Sequence, residues 1–382
     1  MEKHVLIVGA GLSGLTCAYY LKEKGFSISI AEKQGAPGGR AFTDKSPDYL
    51  FDRGFQIFLD SYPEARNILD YSKLRLQKFA SGALIWDGAG VSTFANPVKS
   101  ILGIPSLLVS PWGTVADKVG LSKLLLSITP PEVDLPIALN ISTNDYLVER
   151  GFSPKIMARL FRPFFGNVFL DESLQTDAGT FRHLLWHFTF GNPCLPANGL
   201  GAVAQQLADG QNVEYNVDYV GSSHPEGTLF VDSRMPVDQT YNAAVQWYFE
   251  ADKSPLAKPI LLVCTPGQTI RTLSVQSDVA PTYSRSGKAL ISITTLVDQN
   301  DQNTPLAILE EAQNIFGRQA AGWRLLKHNF IPKALPKVTA NPAGFEQVTP
   351  LHLRIGDAYS YASINGAMHS GRKAAEHLIG LF

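Results

Sequence analysis

Three glycines stand near the start of the chain in G-A-G-L-S-G: Gly9, Gly11 and Gly14. Gly9 permits a tight turn, Gly11 lets backbone approach a pyrophosphate, and Gly14 lets a helix pack closely on a strand. Leu12 and Ser13 open that helix, whose first N–H groups and partial positive charge suit an anion. Glu32 follows about 20 residues on, the place of an acid that accepts from ribose hydroxyls. The chemistry is dinucleotide binding, and this motif alone does not separate NAD from FAD. The next stretch, "KQGAPGGRAFT", adds Lys33, a second glycine turn at Gly38 and Gly39, and the cation Arg40. A flavin dinucleotide runs further across such a domain, so a second backbone approach beside an arginine favours FAD. "FDRGFQIF" then sets Gly54, Phe55 and Gln56 after Asp52, which reads either as a turn that passes close to a flat ring or as an ordinary turn.

A second group lies near the other end, in "IGDAYSYASINGAMHSGRKAA". Gly356 and Asp357 close a strand, and Ser363, Ile364, Asn365 and Ala367 open a helix. Small residues there let a ring lie close, and a helix N-terminus stabilises negative charge on it. A C-terminal helix that merely docks on the core would account for residues 374–381. It would not account for Gly356-Asp357 and Asn365-Gly366-Ala367 together.

The elements that must hold these groups are legible. His4–Val8 reads as a buried strand, residues 13–24 as a helix stopped by Gly25, and "FSISIAEK" as a second strand. "LHLRIGD" reads as the last strand and "SINGAMHSGRKAAEHLI" as the helix after it. Between the two ends, "NVEYNVDYV" and "TLFVDSRMP" are short strands. "AAVQWYFEA", "PILLVCTP" and "KALISITTL" would make a mixed sheet over the flavin, with Ser286-Gly287 a turn in its last hairpin. "NTPLAILEEAQNIFG" is an amphipathic helix with a closing glycine.

Composition sets the bounds. The chain has 382 residues, 45% hydrophobic and 18% charged, with a net charge of −1, so it reads as folded, long enough for two domains, and without a field for nucleic acid. Three scattered cysteines, Cys17, Cys194 and Cys264, support no disulfide framework and no zinc site. The N-terminal residues enter a strand at once and no apolar run is long enough to span a membrane, so a cytoplasmic location is expected. His183 and His187 share a helix face in "HLLWH", but no HExxH glutamate or third ligand accompanies them, and no metal is expected. The aromatics Phe161, Phe164, Phe165, Phe169, Phe181, Trp186, Phe188 and Phe190 leave two readings: an apolar tunnel, or a helical core.

VGAGLSGL, Glu32, GGR and FDRG together resemble the flavin-containing amine oxidase superfamily, and within it the phytoene desaturase (carotenoid desaturase and isomerase) branch. "RPFFGNVFLDE" and "PANGLGAVAQQLA" resemble further blocks of that family, with Asn198 and Leu200 where it usually has Gly and Met. The resemblance implies an α/β fold: a Rossmann-like FAD-binding domain with an interleaved α+β substrate domain. The FAD-binding domain would take residues 1–75, 195–240 and 337–382, and the substrate domain, with its helical cap, 76–194 and 241–336. It implies Val217 as an adenine contact, with Val213 and Val220 as alternatives, and the Ile364 N–H at the flavin O2 edge. It implies FAD as cofactor and a hydrophobic, isoprenoid- or carotenoid-like small molecule as substrate, oxidised or isomerised with the flavin carrying the chemistry. It names no electron acceptor: oxygen, a quinone, or none for an isomerase. Two other readings stand beside it: an amine oxidase proper, for which Lys333 is a candidate lysine near the ring, and a non-catalytic flavin-binding protein. Residues 98–128 read either as a membrane-facing entrance for a lipid-borne substrate, giving peripheral membrane contact, or as a cap on the substrate domain.

Overall fold

Apolar, β-branched runs set His4–Val8 and Ser27–Glu32 side by side as parallel strands, and the helix Leu12–Glu23 makes the crossover between them. The computed structural model describes residues 4–54, 57–96, 98–99, 112–128, 138–219, 228–297, 304–338 and 343–382. A six-stranded sheet grows from this unit in the order Val213–Tyr215, Ser27–Glu32, His4–Val8, Leu229–Asp232, His352–Ile355, Phe345–Thr349. Its neighbours are parallel except the last pair. Leu15, Leu21, Val203, Leu207 and Leu378 from the covering helices form one core with Val5, Ile7, Val231 and Leu353 from its strands. Leu12–Glu23 and the C-terminal helix Ile364–Gly380 cross closely. A Cβ at Gly371 would lie 2.9 Å from the Cys17 nitrogen and 3.0 Å from Thr16 Cβ, so that crossing needs glycine.

The second sheet has seven strands, ordered Arg324–Pro336, Tyr241–Ala251, Ala289–Leu296, Ile270–Val275, Leu261–Cys264, Ala83–Trp86, Val91–Phe94. All pairs are antiparallel except Leu261–Cys264 with Ala83–Trp86. Side chains alternate between its faces. Val245, Trp247, Phe249, Ile291 and Ile293 pack on the helix Pro305–Phe316, through Ile308 and Ala312. The opposite face carries Gln246, Tyr248, Thr272 and Thr294. The first sheet thus draws on residues 4–32, 213–232 and 345–355, and the second on 83–94, 241–296 and 324–336.

The third part is helical. Pro154–Ile156, Met157–Phe161 and Arg162–Val168 run on as one winding with Pro163 inside it. The widened turn at Met157–Phe161 accommodates a residue that lacks an N–H. Of the eight aromatics from Phe161 to Phe190, Phe161, Phe165, Phe169 and Phe181 are fully buried in one core. The core reading therefore holds for these four. Of the segment 98–128, residues 100–111 lie outside the described residues, as does Val220. The helix Val115–Ser127 is closed at its start by a reciprocal Thr114–Asp117 cap and exposes Val115, Val119 and Leu126. Among the described residues no helix is long and apolar enough to cross a membrane.

Candidate functional site

The two sheets and the helical part enclose a cavity of about 970 Å³, at the upper end of the range for ligand pockets. The glycine loop forms one wall. Gly9, Gly11, Leu12 and Ser13 line it, as do Glu32, Lys33, Gly38, Gly39, Arg40, Gly54 and Val217. From the far end of the chain, Gly356, Asp357, Ser363, Ile364 and Ala367 join them.

The glycines divide by what a side chain would meet. A Cβ on Gly9 would lie 2.5 Å from Ser233 Oγ, and one on Gly14 would strike the Gly9 carbonyl and come 2.9 Å from Ser233 Oγ. Those two are required by the protein's own packing. A Cβ on Gly11 or on Gly356 would meet nothing within 4 Å. Both line the cavity, so a side chain at either would stand in its open space rather than against the protein.

Glu32 is buried with both carboxylate oxygens in use: Oε2 accepts from the Ala10 N–H at 2.6 Å and Oε1 from Gln34 at 2.8 Å. A carboxylate has further lone pairs for sugar hydroxyls. Its backbone carbonyl accepts from the Val217 N–H at 2.9 Å, which seats Val217 on the cavity wall. Lys33 pairs with Asp218 at 2.7 Å on the exposed rim. The Gly38 N–H donates to the Ala10 carbonyl at 2.9 Å, locking the second glycine turn onto the first. Arg40 donates to Asp357 and, at 3.2 Å, to the Ala334 carbonyl. Arg40 of the second glycine turn and Asp357 at the end of the last strand are thus partners that join the two ends of the chain.

Two expected residues are not on the wall. Gly14 is behind it, spent on helix-to-strand packing. Asn365 is turned inward: it donates to Tyr361 Oη at 2.5 Å and accepts from the Glu64 N–H at 3.1 Å. Phe55 and Gln56 lie outside the described residues. Asp52 is a buried post rather than a lining group. It accepts from Thr43 Oγ1 at 2.5 Å, Tyr283 Oη at 2.7 Å and the Leu200 N–H at 2.9 Å, which fixes the approach to Gly54. Burial pushes its pKa up against those three hydrogen bonds.

Away from the glycine loop the wall turns apolar. Phe164, Leu184, Phe188, Leu261 and Val263 line it, and Phe164 meets Phe188 edge-on with centroids 5.1 Å apart. Ile57, Phe164, Phe188 and Leu261 also bound a smaller chamber of about 80 Å³ beyond. Lys333 lines the cavity but donates to the Pro236 carbonyl at 3.3 Å and sits over the Tyr241 ring. His183 and His187 are engaged elsewhere: their Nε2 atoms are 3.2 Å apart, His187 Nδ1 is 2.8 Å from Ser61 Oγ, and His183 is 3.1 Å from Tyr361 Oη. Among the described residues no group of three or more His, Cys, Asp or Glu could hold a metal ion.

The sequence alone sets a mixed sheet over the flavin but names none of the side chains that the seven-stranded sheet brings to the cavity. Gln246, Thr272, Thr294, His328 and Asn329 all line the cavity. Only the alternation of Gln246 within an apolar strand pointed to them.

Comparison with known proteins identifies the arrangement. A stretch of 104 residues is 31% identical to protoporphyrinogen oxidase 2 of Arabidopsis thaliana, covering 26% of this chain and 20% of that protein. A stretch of 101 residues is 35% identical to all-trans-zeta-carotene desaturase of Myxococcus xanthus, covering 24% of this chain and 19% of that protein. These matches span about a fifth of each relative. In structure the chain resembles cyclohexylamine oxidase from Brevibacterium oxydans, with a TM-score of 0.71, 14% identity, and coverage of 100% of this chain and 99% of that one. At that identity the likeness is one of fold. The chain matches the flavin containing amine oxidoreductase family over residues 12–222, more than half its length. It therefore belongs to that family, and its cofactor is FAD.

Proposed function

We propose that this protein is an FAD-dependent oxidoreductase, a desaturase or isomerase, acting on a hydrophobic, isoprenoid-like substrate. The observation that carries the reading is one continuous cavity that runs from the glycine loop to an apolar wall at Phe164, Leu184 and Phe188. Bound FAD supplies the hydride acceptor, and the chain supplies position, dryness and charge. Gly11, Leu12 and Ser13 would hold the pyrophosphate with first-turn N–H groups, Glu32 the ribose, and Val217 the adenine side. The first turn of Ile364–Gly380, capped by Ser363 Oγ accepting from Gly366 at 2.8 Å, would stabilise negative charge on the ring. Phe164 and Phe188 exclude water and press an apolar skeleton into place.

Charge favours an uncharged substrate over an ammonium. The described acids lining the cavity, Glu32, Asp218 and Asp357, are engaged with backbone N–H groups, Lys33 and Arg40. The test has two stages. The purified protein's visible spectrum and the chromatographic identity of its released cofactor check FAD. Anaerobic bleaching of that spectrum is then followed with an isoprenoid polyene, and separately with a primary amine and a polyamine. Bleaching or isomerisation with the polyene supports the proposal, and bleaching by amines alone overturns it.

A further inference from the structure

Polar side chains line the cavity from both the second sheet and the helical part. On the sheet they stand in a row: Asn329 pairs in register with Gln246, Gln246 with Thr294, and Thr294 with Thr272. Within that row Thr294 Oγ1 donates to Gln246 Oε1 at 2.9 Å, and Gln246 Nε2 donates to Ser292 Oγ at 2.8 Å. On the helix Arg162–Val168, Phe164, Asn167 and Val168 lie three and four positions apart, share one face, and all line the cavity. Phe165 and Gly166, on its other faces, are buried. Asn167 is half-buried, and the part of it left open is open to the cavity, between two apolar neighbours.

The direction of the Asn167 amide is fixed by its partners. Nδ2 donates to the Pro163 carbonyl at 2.5 Å and to the Arg271 carbonyl at 3.0 Å. Carbonyls only accept, so the nitrogen must face them; the flipped amide would set oxygen against oxygen twice. Oδ1 is left over. It accepts no hydrogen bond from the protein and is not enclosed by it. Water in the cavity can donate to this oxygen, but a hydrocarbon that displaces that water cannot. One such hydrogen bond is worth about fivefold in an equilibrium constant.

We infer that the substrate carries a hydrogen-bond donor, a hydroxyl on its isoprenoid-like skeleton, which donates to Asn167 Oδ1 while the apolar remainder lies along Phe164, Val168 and Val263. This rests on the proposed function and narrows its substrate class from any polyene to a hydroxylated one. The direction of the bond discriminates: an aldehyde, ketone or ether oxygen only accepts and gains nothing from Asn167. An ammonium would donate too, but the described acids lining the cavity are already engaged and offer it no countercharge.

The test uses three probes with one C15 isoprenoid skeleton: farnesol, which donates, and its methyl ether and farnesal, which only accept. Binding is measured by calorimetry on the purified protein, and its FAD content is read from the visible spectrum. Wild type is expected to bind farnesol about fivefold more tightly than either acceptor-only probe. In Asn167→Leu, and in Asn167→Ala, which adds no bulk, both ratios should fall to within about twofold. Each ratio is taken within one variant, so a wall loosened by loss of the tie to Arg271 lowers all three affinities together and leaves the ratios unmoved. Both variants should keep their FAD. Wild-type binding without a preference for farnesol, or a preference that survives in both variants, overturns this inference alone. No binding of any probe overturns it together with the substrate class of the proposed function. Loss of FAD from both variants also overturns it and assigns Asn167 to the cofactor.

Discussion

Gly11 and Gly14 lie three positions apart in one loop, yet alanine at each should fail in opposite ways. Gly14→Ala drives a methyl into the Gly9 carbonyl and to within 2.9 Å of Ser233 Oγ, so the fold must yield. Such overpacking costs about 1–3 kcal/mol. Gly11 has φ −75° and ψ 174°, which alanine adopts without strain, and its methyl would meet no protein atom within 4 Å. Apo stability should therefore stay within about 0.5 kcal/mol of wild type. FAD binding should not. The methyl stands about 1.5 Å off the backbone, enough to lengthen N–H···O contacts from about 2.9 Å past any useful range. Loss of two charge-assisted hydrogen bonds costs about 3 kcal/mol, or about a hundredfold in Kd. Thermal unfolding of apoprotein with and without added FAD separates the two effects, because only cofactor binding gives the FAD-dependent rise in Tm. An unshifted FAD affinity in Gly11→Ala would refute the assignment of this loop to the pyrophosphate. An apo Tm for Gly14→Ala equal to wild type would refute the packing argument.

Arg372 holds the fully buried Glu64 through two guanidinium nitrogens, at 2.9 to 3.1 Å. Arg372→Met should cost about 3–5 kcal/mol by stranding that carboxylate, and adding Glu64→Gln should recover part of it in urea unfolding. His187 makes stability pH-dependent: burial, helped by Arg66, lowers its pKa from 6.5 to about 4. The unfolded chain then binds the proton more readily, so stability is full above pH 6.5 and falls as pH drops toward 4. About 2 kcal/mol should be lost by pH 5, with His187→Gln flattening the slope measured by denaturant titration.

The N-terminal half of the site was readable because its logic is local. Gly9, Gly11, Gly14 and Glu32 belong to one strand–helix–strand unit, whose spacing is set by the geometry of that unit. The C-terminal helix start at Ile364 was readable for the same reason, with Ser363 as its cap. What escaped was assembled across long separations. Arg40 meets Asp357 only when distant segments meet, and Asn329, Gln246, Thr294 and Thr272 share a row only through strand register. Register follows from the whole sheet's burial pattern, which no single strand announces. Asn365 shows the converse: a residue whose neighbourhood suggested the ring but whose side chain was claimed by Tyr361 and Glu64.

The ion pair between Arg40 and Asp357 also has a bearing on biosynthesis. Its partners are separated by 317 positions, and the Glu64–Arg372 pair by 308. Synthesis at about 5–20 residues per second puts many seconds between the glycine loop and the acid that anchors it. Throughout that interval the second glycine turn lacks Arg40's partner Asp357, and the first strand–helix unit lacks the helix that covers it. If the proposed site holds FAD, cofactor loading would be a late event, complete only once residue 357 and the helix after it have been made, and a ribosome stalled before that point would carry a half-site.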